Sequence, residues 1–272
     1  MGAERYAACF ARLQERGEGA FVPFLVLGDP GGEESLELAR ALIAGGADML
    51  ELGIPFSDPI ADGPTIQAAA QRALAAGATA AGCFELIGRL RAEFGEVPIG
   101  LLVYANLVVG RGRDVFYEQC AAAGVDSVLV ADVPTLEAEP FVESARAAGV
   151  APVMIAPPNV DEARLRRIAE WGEGYTYVVT RRGVTGADEE VALEADVVTR
   201  LRALDAAPPV FGFGISRGEH VRSALAAGAA GAISGSAIVR QVARWAAGEL
   251  ERDACLEAVR GLVGELKGAT RG

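Results

Sequence analysis

Histidine is almost absent: His220 is the only one in 272 residues. That scarcity excludes a three-histidine zinc site and leaves any Ser-His-Asp triad dependent on one residue. His220 lies in Gly218-Glu219-His220-Val221-Arg222, which reads as the opening of an amphipathic helix, so a solvated surface position is expected for it. Acid–base chemistry then falls to carboxylates, tyrosine, lysine or cysteine. Cysteine is sparse as well. Cys9, Cys83, Cys120 and Cys255 are scattered, with no C-x-x-C pair. This excludes a zinc knuckle or a thioredoxin motif and fits reduced, mostly buried thiols in a cytosolic protein. The opening MGAERYAACF lacks a basic region followed by a long apolar run, so no signal peptide is expected. No uninterrupted apolar run reaches the roughly 18 residues needed to span a bilayer. Positive charge is in deficit too, with 25 Lys+Arg against 37 Asp+Glu and a formal charge of −12. Such a chain repels phosphate backbones, and no basic stripe offsets this, so nucleic acid is not an expected partner. The expectation is a soluble, cytoplasmic protein without a metal site.

What the chain has is material for a core, at 51% hydrophobic and 23% charged residues. Short β-rich runs are read at Phe21–Leu27, Met49–Leu52, Ile99–Val103, Ser127–Val130, Pro152–Ile155, Tyr175–Val179, Val210–Phe213 and Ala232–Ser234. Helical patterns lie between them, at Glu33–Ala44, Phe84–Phe94, Asp114–Ala123, Phe141–Ala148, Glu162–Glu170 and Val191–Leu204. Strands alternating with helices at this spacing predict βαβ units and a parallel sheet. Eight such strands predict a closed α/β (β/α)8 TIM barrel. A weak repeat supports it. Ala44-Gly45-Gly46-Ala47-Asp48-Met49-Leu50, Ala123-Gly124-Val125-Asp126-Ser127-Val128 and Ala227-Gly228-Ala229-Ala230-Gly231-Ala232 each close a helix on Ala-Gly and enter a strand. No linker or composition break divides the chain, so residues 1–272 are expected to form a single domain. Arg5–Glu15 and Asp253–Lys267 read as extra terminal helices capping the barrel.

Side chains alternate along a barrel strand, so Met49, Glu51 and Gly53 share one face and Leu50 and Leu52 the other. The apolar pair suits the helix layer, which turns Glu51 into the barrel near the strand's C-terminal end, where active sites of this fold lie. Partial desolvation there raises a carboxyl pKa and suits it to proton transfer; a structural ion pair with arginine is the other reading of the same position. The loop that follows, Gly53-Ile54-Pro55-Phe56-Ser57-Asp58-Pro59-Ile60-Ala61-Asp62-Gly63-Pro64, is long and stiffened by three prolines. Pro64 suits the opening of a helix to Ala75, and Asp62 suits either its N-cap or a position over the barrel mouth.

Two turns suggest an anion site. Gly212-Phe213-Gly214-Ile215-Ser216 closes the seventh strand, and Ser234-Gly235-Ser236 closes the eighth before a helix beginning near Ala237. Loops after these two strands, with a helix N-terminus, form the usual phosphate site of the fold without requiring lysine or arginine. After the sixth strand, Arg181-Arg182-Gly183-Val184-Thr185-Gly186-Ala187-Asp188-Glu189-Glu190 reads as a lid, with Thr185 and Gly186 offered to the same phosphate.

Longer stretches carry a family likeness. Gly19-Ala20-Phe21-Val22-Pro23-Phe24, Leu27-Gly28-Asp29-Pro30, Glu51-Leu52-Gly53-Ile54-Pro55-Phe56-Ser57-Asp58-Pro59 and Ala61-Asp62-Gly63-Pro64-Thr65-Ile66-Gln67 resemble the tryptophan synthase alpha chain. So do Gly100-Leu101-Leu102-Val103-Tyr104-Ala105-Asn106, Ala131-Asp132-Val133-Pro134, Arg181-Arg182-Gly183-Val184-Thr185-Gly186 and Gly212-Phe213-Gly214-Ile215-Ser216. The resemblance implies retro-aldol cleavage of indole-3-glycerol phosphate to indole and glyceraldehyde 3-phosphate. It matches Glu51 to the general acid and base, Asp62 to the carboxylate that bonds the indole N–H, and Tyr177 to a tyrosine beside the catalytic glutamate. Phe24, Leu102, Tyr104, Leu129 and Phe213 would wall the indole pocket, and Gly186, Gly214, Gly235 and Ser236 would hold the phosphate. No cofactor is implied for this chain, since the family's pyridoxal phosphate belongs to its beta partner. An alpha2–beta2 heterotetramer is implied, with Pro55, Asp58 and Asn106 matching partner-facing loops. Arg111-Gly112-Arg113 and the segment Asp188–Asp196 depart from the family's pattern. A free-standing lyase with the same chemistry and a catalytically silent allosteric paralogue stay open as alternatives.

Overall fold

The computed structural model describes residues 2–179, 187–212 and 214–271, and of 187–194 only the backbone. The elements follow in chain order: α1 (Gly2–Glu15), β1 (Ala20–Val26), α2 (Gly32–Ala44), β2 (Leu50–Gly53), α3 (Pro64–Ala75), α4 (Ala80–Glu93) and β3 (Ile99–Val103). Next come α5 (Ala105–Val109), α6 (Arg113–Ala123), β4 (Ser127–Val130), α7 (Glu139–Ala147), β5 (Ala151–Pro152), β6 (Met154–Ala156), α8 (Glu162–Trp171) and β7 (Thr176–Val179). The chain continues through α9 (Ala187–Ala203), β8 (Pro209–Gly212), α10 (Gly218–Ala226), β9 (Gly231–Ser234), α11 (Ser236–Ala246) and α12 (Arg252–Gly268).

All strand pairs are parallel, in the order β5-β4-β3-β2-β1-β9-β8-β7-β6. The two ends of that order are halves of one strand, so the sheet returns on itself as the expected barrel. The expected fifth strand is thus two segments flanking Val153. Residues before the break pair with β4, and Val153 N–H still donates to Val128 O at 3.0 Å, whereas Met154 onward pairs with β7. Tilted strands in a barrel stagger their registers, and here one strand changes partner midway.

The period-two pattern sorts side chains into two cores. Outside the sheet, Phe21, Leu25, Leu50, Leu52, Leu101 and Val128 pack with the helix layer. Inside it, Val22, Phe24, Met49, Leu129, Tyr175, Tyr177 and Ile233 fill the barrel. Helix α1 plugs the N-terminal end with Tyr6, Cys9 and Leu13, as a terminal cap should. Helix α12 does not cap: its stripe of Cys255, Val259, Val263 and Leu266 is buried against α2 and β1, completing the outer ring. The repeated Ala-Gly joint works as expected from its chemistry. Gly46, Gly124 and Gly228 take φ of +102°, +81° and +93°, a region that L side chains rarely adopt. In the first copy the second glycine of the pair turns the chain.

All four cysteines are buried and reduced. Burial pushes the Cys9 and Cys255 thiols up to about 11 and Cys83 to about 12. Among the described residues no single helix is long and apolar enough to cross a membrane.

Candidate active site

Strand β2 presents Glu51 on the barrel's inner face, between Phe24 on β1 and Gly100 on β3 in the sheet register. The residue is 2% exposed, and the Tyr175 hydroxyl donates to its Oε1 at 2.5 Å. Burial, reinforced by the charge of nearby Asp62, pushes the Glu51 carboxyl up to about 7; the hydrogen bond from Tyr175 opposes this by favouring the carboxylate. Near neutral pH the group therefore populates both forms, which suits it to give and to take a proton.

Asp62 arrives from the loop between β2 and α3. Its N-cap reading fails, because Gly63 occupies the N-cap of α3 and supplies no side-chain bond, while Pro64 opens the helix. Instead the Asp62 carboxyl meets the Tyr104 hydroxyl. That same hydroxyl accepts the Ala61 N–H at 3.1 Å, and the Tyr104 ring stacks on Phe56 with centroids 5.4 Å apart. Tyr104 thus holds the loop from behind, and it is not among the residues lining the cavity, whose indole wall the resemblance implied it would join. Burial raises the Asp62 pKa, and the bond from Tyr104 holds it down.

Glu51 and Asp62 open onto one cavity of about 510 Å³ at the C-terminal ends of the strands. Phe24, Leu102, Leu129 and Tyr177 line it, as do Gly214, Gly235 and Ser236. Most of this wall is apolar, which suits an aromatic group beside the two carboxyls. Gly212 makes room for Tyr177: a Cβ there would lie 2.1 Å from the tyrosine's Cζ. Gly214 has φ +72°, and its loop is tied down from two sides. The Ser234 hydroxyl donates to Ile215 O at 2.7 Å, and Ser216 N–H donates to His220 Nδ1 at 3.2 Å. His220 is therefore no solvated surface group; its side chain is 14% exposed and braces this loop. Helix α11 starts at Ser236, so its N-terminal N–H groups face the cavity end formed by Gly235 and Ser236.

Three of the expected site residues, Thr185, Gly186 and Phe213, and the start of the expected lid lie outside the described residues. Of the residues assigned to a partner-facing surface, Asp58 and Asn106 are exposed, whereas Pro55 is buried within the chain. Sequence reasoning missed Tyr175, Ile155, Ile233 and Arg240. Tyr175 was within reach of the period-two rule, since it shares the inward face with Tyr177. Among the described residues no cluster of three or more His, Cys, Asp or Glu could hold a metal ion.

The family model described as tryptophan synthase alpha chain matches residues 10–271. The tryptophan synthase alpha chain of Escherichia coli strain SMS-3-5 is 56% identical over 269 residues, covering 98% of this chain and 99% of its own length. That of Klebsiella pneumoniae strain 342 matches at the same identity and coverage. Among solved structures, the tryptophan synthase α2β2 complex from Pyrococcus furiosus contains a chain that superposes with a TM-score of 0.82 at 38% identity, over 92% of this chain and 98% of that one. Tryptophan synthase subunit alpha from Legionella pneumophila superposes with a TM-score of 0.87 at 27% identity, over 98% of each chain. Likeness of this extent, in sequence and in the barrel that surrounds the two carboxyls, has one meaning: the chain belongs to the tryptophan synthase alpha chain family.

Proposed function

We propose that this chain is the lyase that cleaves indole-3-glycerol phosphate to indole and glyceraldehyde 3-phosphate, with Glu51 as its acid and base and Asp62 as the carboxylate that steadies the charged ring. The observation that carries the assignment is a buried carboxyl, pushed up to about 7, that shares an apolar cavity with a second carboxyl.

Carbon 3 of indole is a poor base, so its protonation calls for a neutral, desolvated acid in contact. Protonated Glu51 delivers that proton, and positive charge develops on the ring nitrogen. Ionised Asp62, fixed by Tyr104, lowers the energy of that cation. The Glu51 carboxylate then takes the proton of the glycerol hydroxyl next to the ring. The hydroxyl oxygen becomes the aldehyde carbonyl, the bond to carbon 3 breaks, and its electron pair returns to the ring. One proton is given and one taken, so Glu51 ends the cycle as it began. Tyr175 holds Oε1, which leaves the other oxygen for the substrate.

Phe24, Leu102, Leu129 and Tyr177 enclose the indole, while Gly214, Gly235 and Ser236 meet the phosphate with the N-terminus of α11 behind them. Thr185, Gly186 and Phe213 are assigned to the same ligand from their motifs alone. The Pyrococcus furiosus relative forms an α2β2 complex. The same partner is assigned here: a beta chain, carrying the pyridoxal phosphate, that takes the indole on to L-tryptophan across the face bearing Asp58 and Asn106. Residues 1–272 act as one cytoplasmic domain in this reading. Indole release from indole-3-glycerol phosphate, with and without a beta chain, is the test. Slow release that rises sharply with the partner is the expected result; fast release alone points to a free-standing lyase, and none under either condition overturns the assignment.

A further inference from the structure

Net charge poses a difficulty for this substrate. The chain carries −12, the cavity holds two carboxyls, and a phosphate monoester brings close to two more negative charges near neutral pH. Backbone N–H groups and a helix N-terminus offer partial charges only. Among the described residues lining the cavity, Arg240 is the only one with a cationic side chain.

Its placement on α11 is specific. Arg240 follows Ser236 by four residues, so the two share a helix face one turn apart. Side chains on a helix lean toward its N-terminus, so Arg240 covers the turn that begins at Gly235 and Ser236. The pitch is about 5.4 Å, well within the span of an arginine. Nothing on the helix competes for the guanidinium. Helix α11 contains no Asp or Glu; the positions three and four away from Arg240 are Ser236, Ala237, Ala243 and Arg244. Arg244, a like charge one turn on, donates to Gln241. Many arginines among the described residues are engaged by acids: Arg5, Arg40, Arg72, Arg89, Arg91, Arg146 and Arg252 each hold a carboxylate. Arg240 has no hydrogen bond or ion pair among the described residues, and it is exposed at the cavity's edge.

We propose that Arg240 is a phosphate-binding residue: it brings a full positive charge to the cradle and selects for substrates that end in a phosphate dianion. This rests on the cleavage reaction assigned above, and it adds a side-chain cation to a cradle that the sequence pattern built from backbone alone. Arg240 lies at the phosphate end of the cavity, so it holds substrate and transition state alike. Its loss therefore acts on KM and leaves kcat nearly intact.

The test compares wild type, Arg240→Gln and Arg240→Lys, each with its beta chain, and uses inorganic phosphate as an independent probe. Arg240→Gln should raise KM for indole-3-glycerol phosphate about tenfold, the scale of a charge-assisted hydrogen bond moderated by solvent, with kcat changed less than twofold. Inorganic phosphate should weaken as a competitive inhibitor by a similar factor, and Arg240→Lys should recover most of both. KM and phosphate inhibition within twofold of wild type in Arg240→Gln overturn the inference, as does an equal loss in Arg240→Lys and Arg240→Gln. A wild-type enzyme that releases no indole overturns the assigned reaction instead. Calorimetric titration of inorganic phosphate into wild type and Arg240→Gln then decides the role of Arg240 alone.

Discussion

The two ends of the barrel bury carboxylates in opposite ways. At the N-terminal end Asp126 is fully buried, and its oxygens receive Arg5 Nη1 at 2.6 Å, Arg91 Nη2 at 2.5 Å and the Ile99 N–H at 2.8 Å. Nearby, Asp48 and Glu18 share Lys267 Nζ, each at 2.9 Å. At the C-terminal end Glu51 and Asp62 have tyrosine hydroxyls where Asp126 has guanidinium groups. None of the ion pairs among the described residues includes either of them. A hydroxyl satisfies a carboxylate's hydrogen-bonding but not its charge. Glu51 and Asp126 are both buried, but Asp126 sits between two guanidinium groups, whereas Glu51 meets a hydroxyl and burial pushes its carboxyl up to about 7.

Removing the proton carrier should have the largest effect. Glu51→Gln should lower kcat by at least roughly 10², the low end for general acid–base catalysis, while substrate still binds. The same variant should gain stability, with a definite dependence on pH. An unfolded Glu titrates near 4.3 and folded Glu51 near 7, so wild-type folding takes up a proton between these values, and stability falls as pH rises through them. Chemical denaturation should show Glu51→Gln gaining on wild type across that window, by up to about 4 kcal/mol, and holding the gain above it. A variant that keeps its turnover, or loses stability throughout, breaks the comparison from the C-terminal side.

Asp126→Asn tests the other end. It leaves two guanidinium groups facing a neutral amide, and breaking such a buried set costs about 3 kcal/mol. The folded fraction should keep its kcat, since this pair lies at the end of the barrel away from the cavity. Denaturant unfolding measures the first effect and indole release the second; a normal midpoint would make Asp126 no anchor. The smallest effect is expected from Tyr175→Phe. Losing the bond that favours the carboxylate should raise the Glu51 pKa further. The alkaline limb of the pH–rate profile should then move upward, by about one unit or less, with a rate change of only a few fold. A limb that stays in place would mean that Tyr175 does not hold the titrating group.

Much of this architecture was legible because it rests on local chemistry. Alternation along Met49–Gly53 placed Glu51 inside the barrel, and the Ala-Gly joints marked where helices end. The rest depends on distant partners. Nothing near Val153 states that its strand changes neighbour there, because that follows from the stagger of a closed sheet. Tyr175 meets Glu51 across 124 positions of sequence, so the face of Tyr175 was readable but its bond was not. His220 read as a surface group because its own helix is amphipathic; the Ser216 amide that it accepts lies in the preceding loop. Asp62 left two readings in sequence, and Gly63 at the N-cap removes the simpler one.

The burial of the four thiols has a practical consequence. With pKa values raised well above neutrality and little exposure, Cys9, Cys83, Cys120 and Cys255 present almost no thiolate to a reagent in the native state. Ile60, 80% exposed at the tip of the loop that delivers Asp62, is open to solvent. A cysteine introduced there would be the preferred site for a maleimide fluorophore, without stripping the native sulfurs first. Its emission would report on the surroundings of the Asp62 loop during turnover, with the native sulfurs left in place.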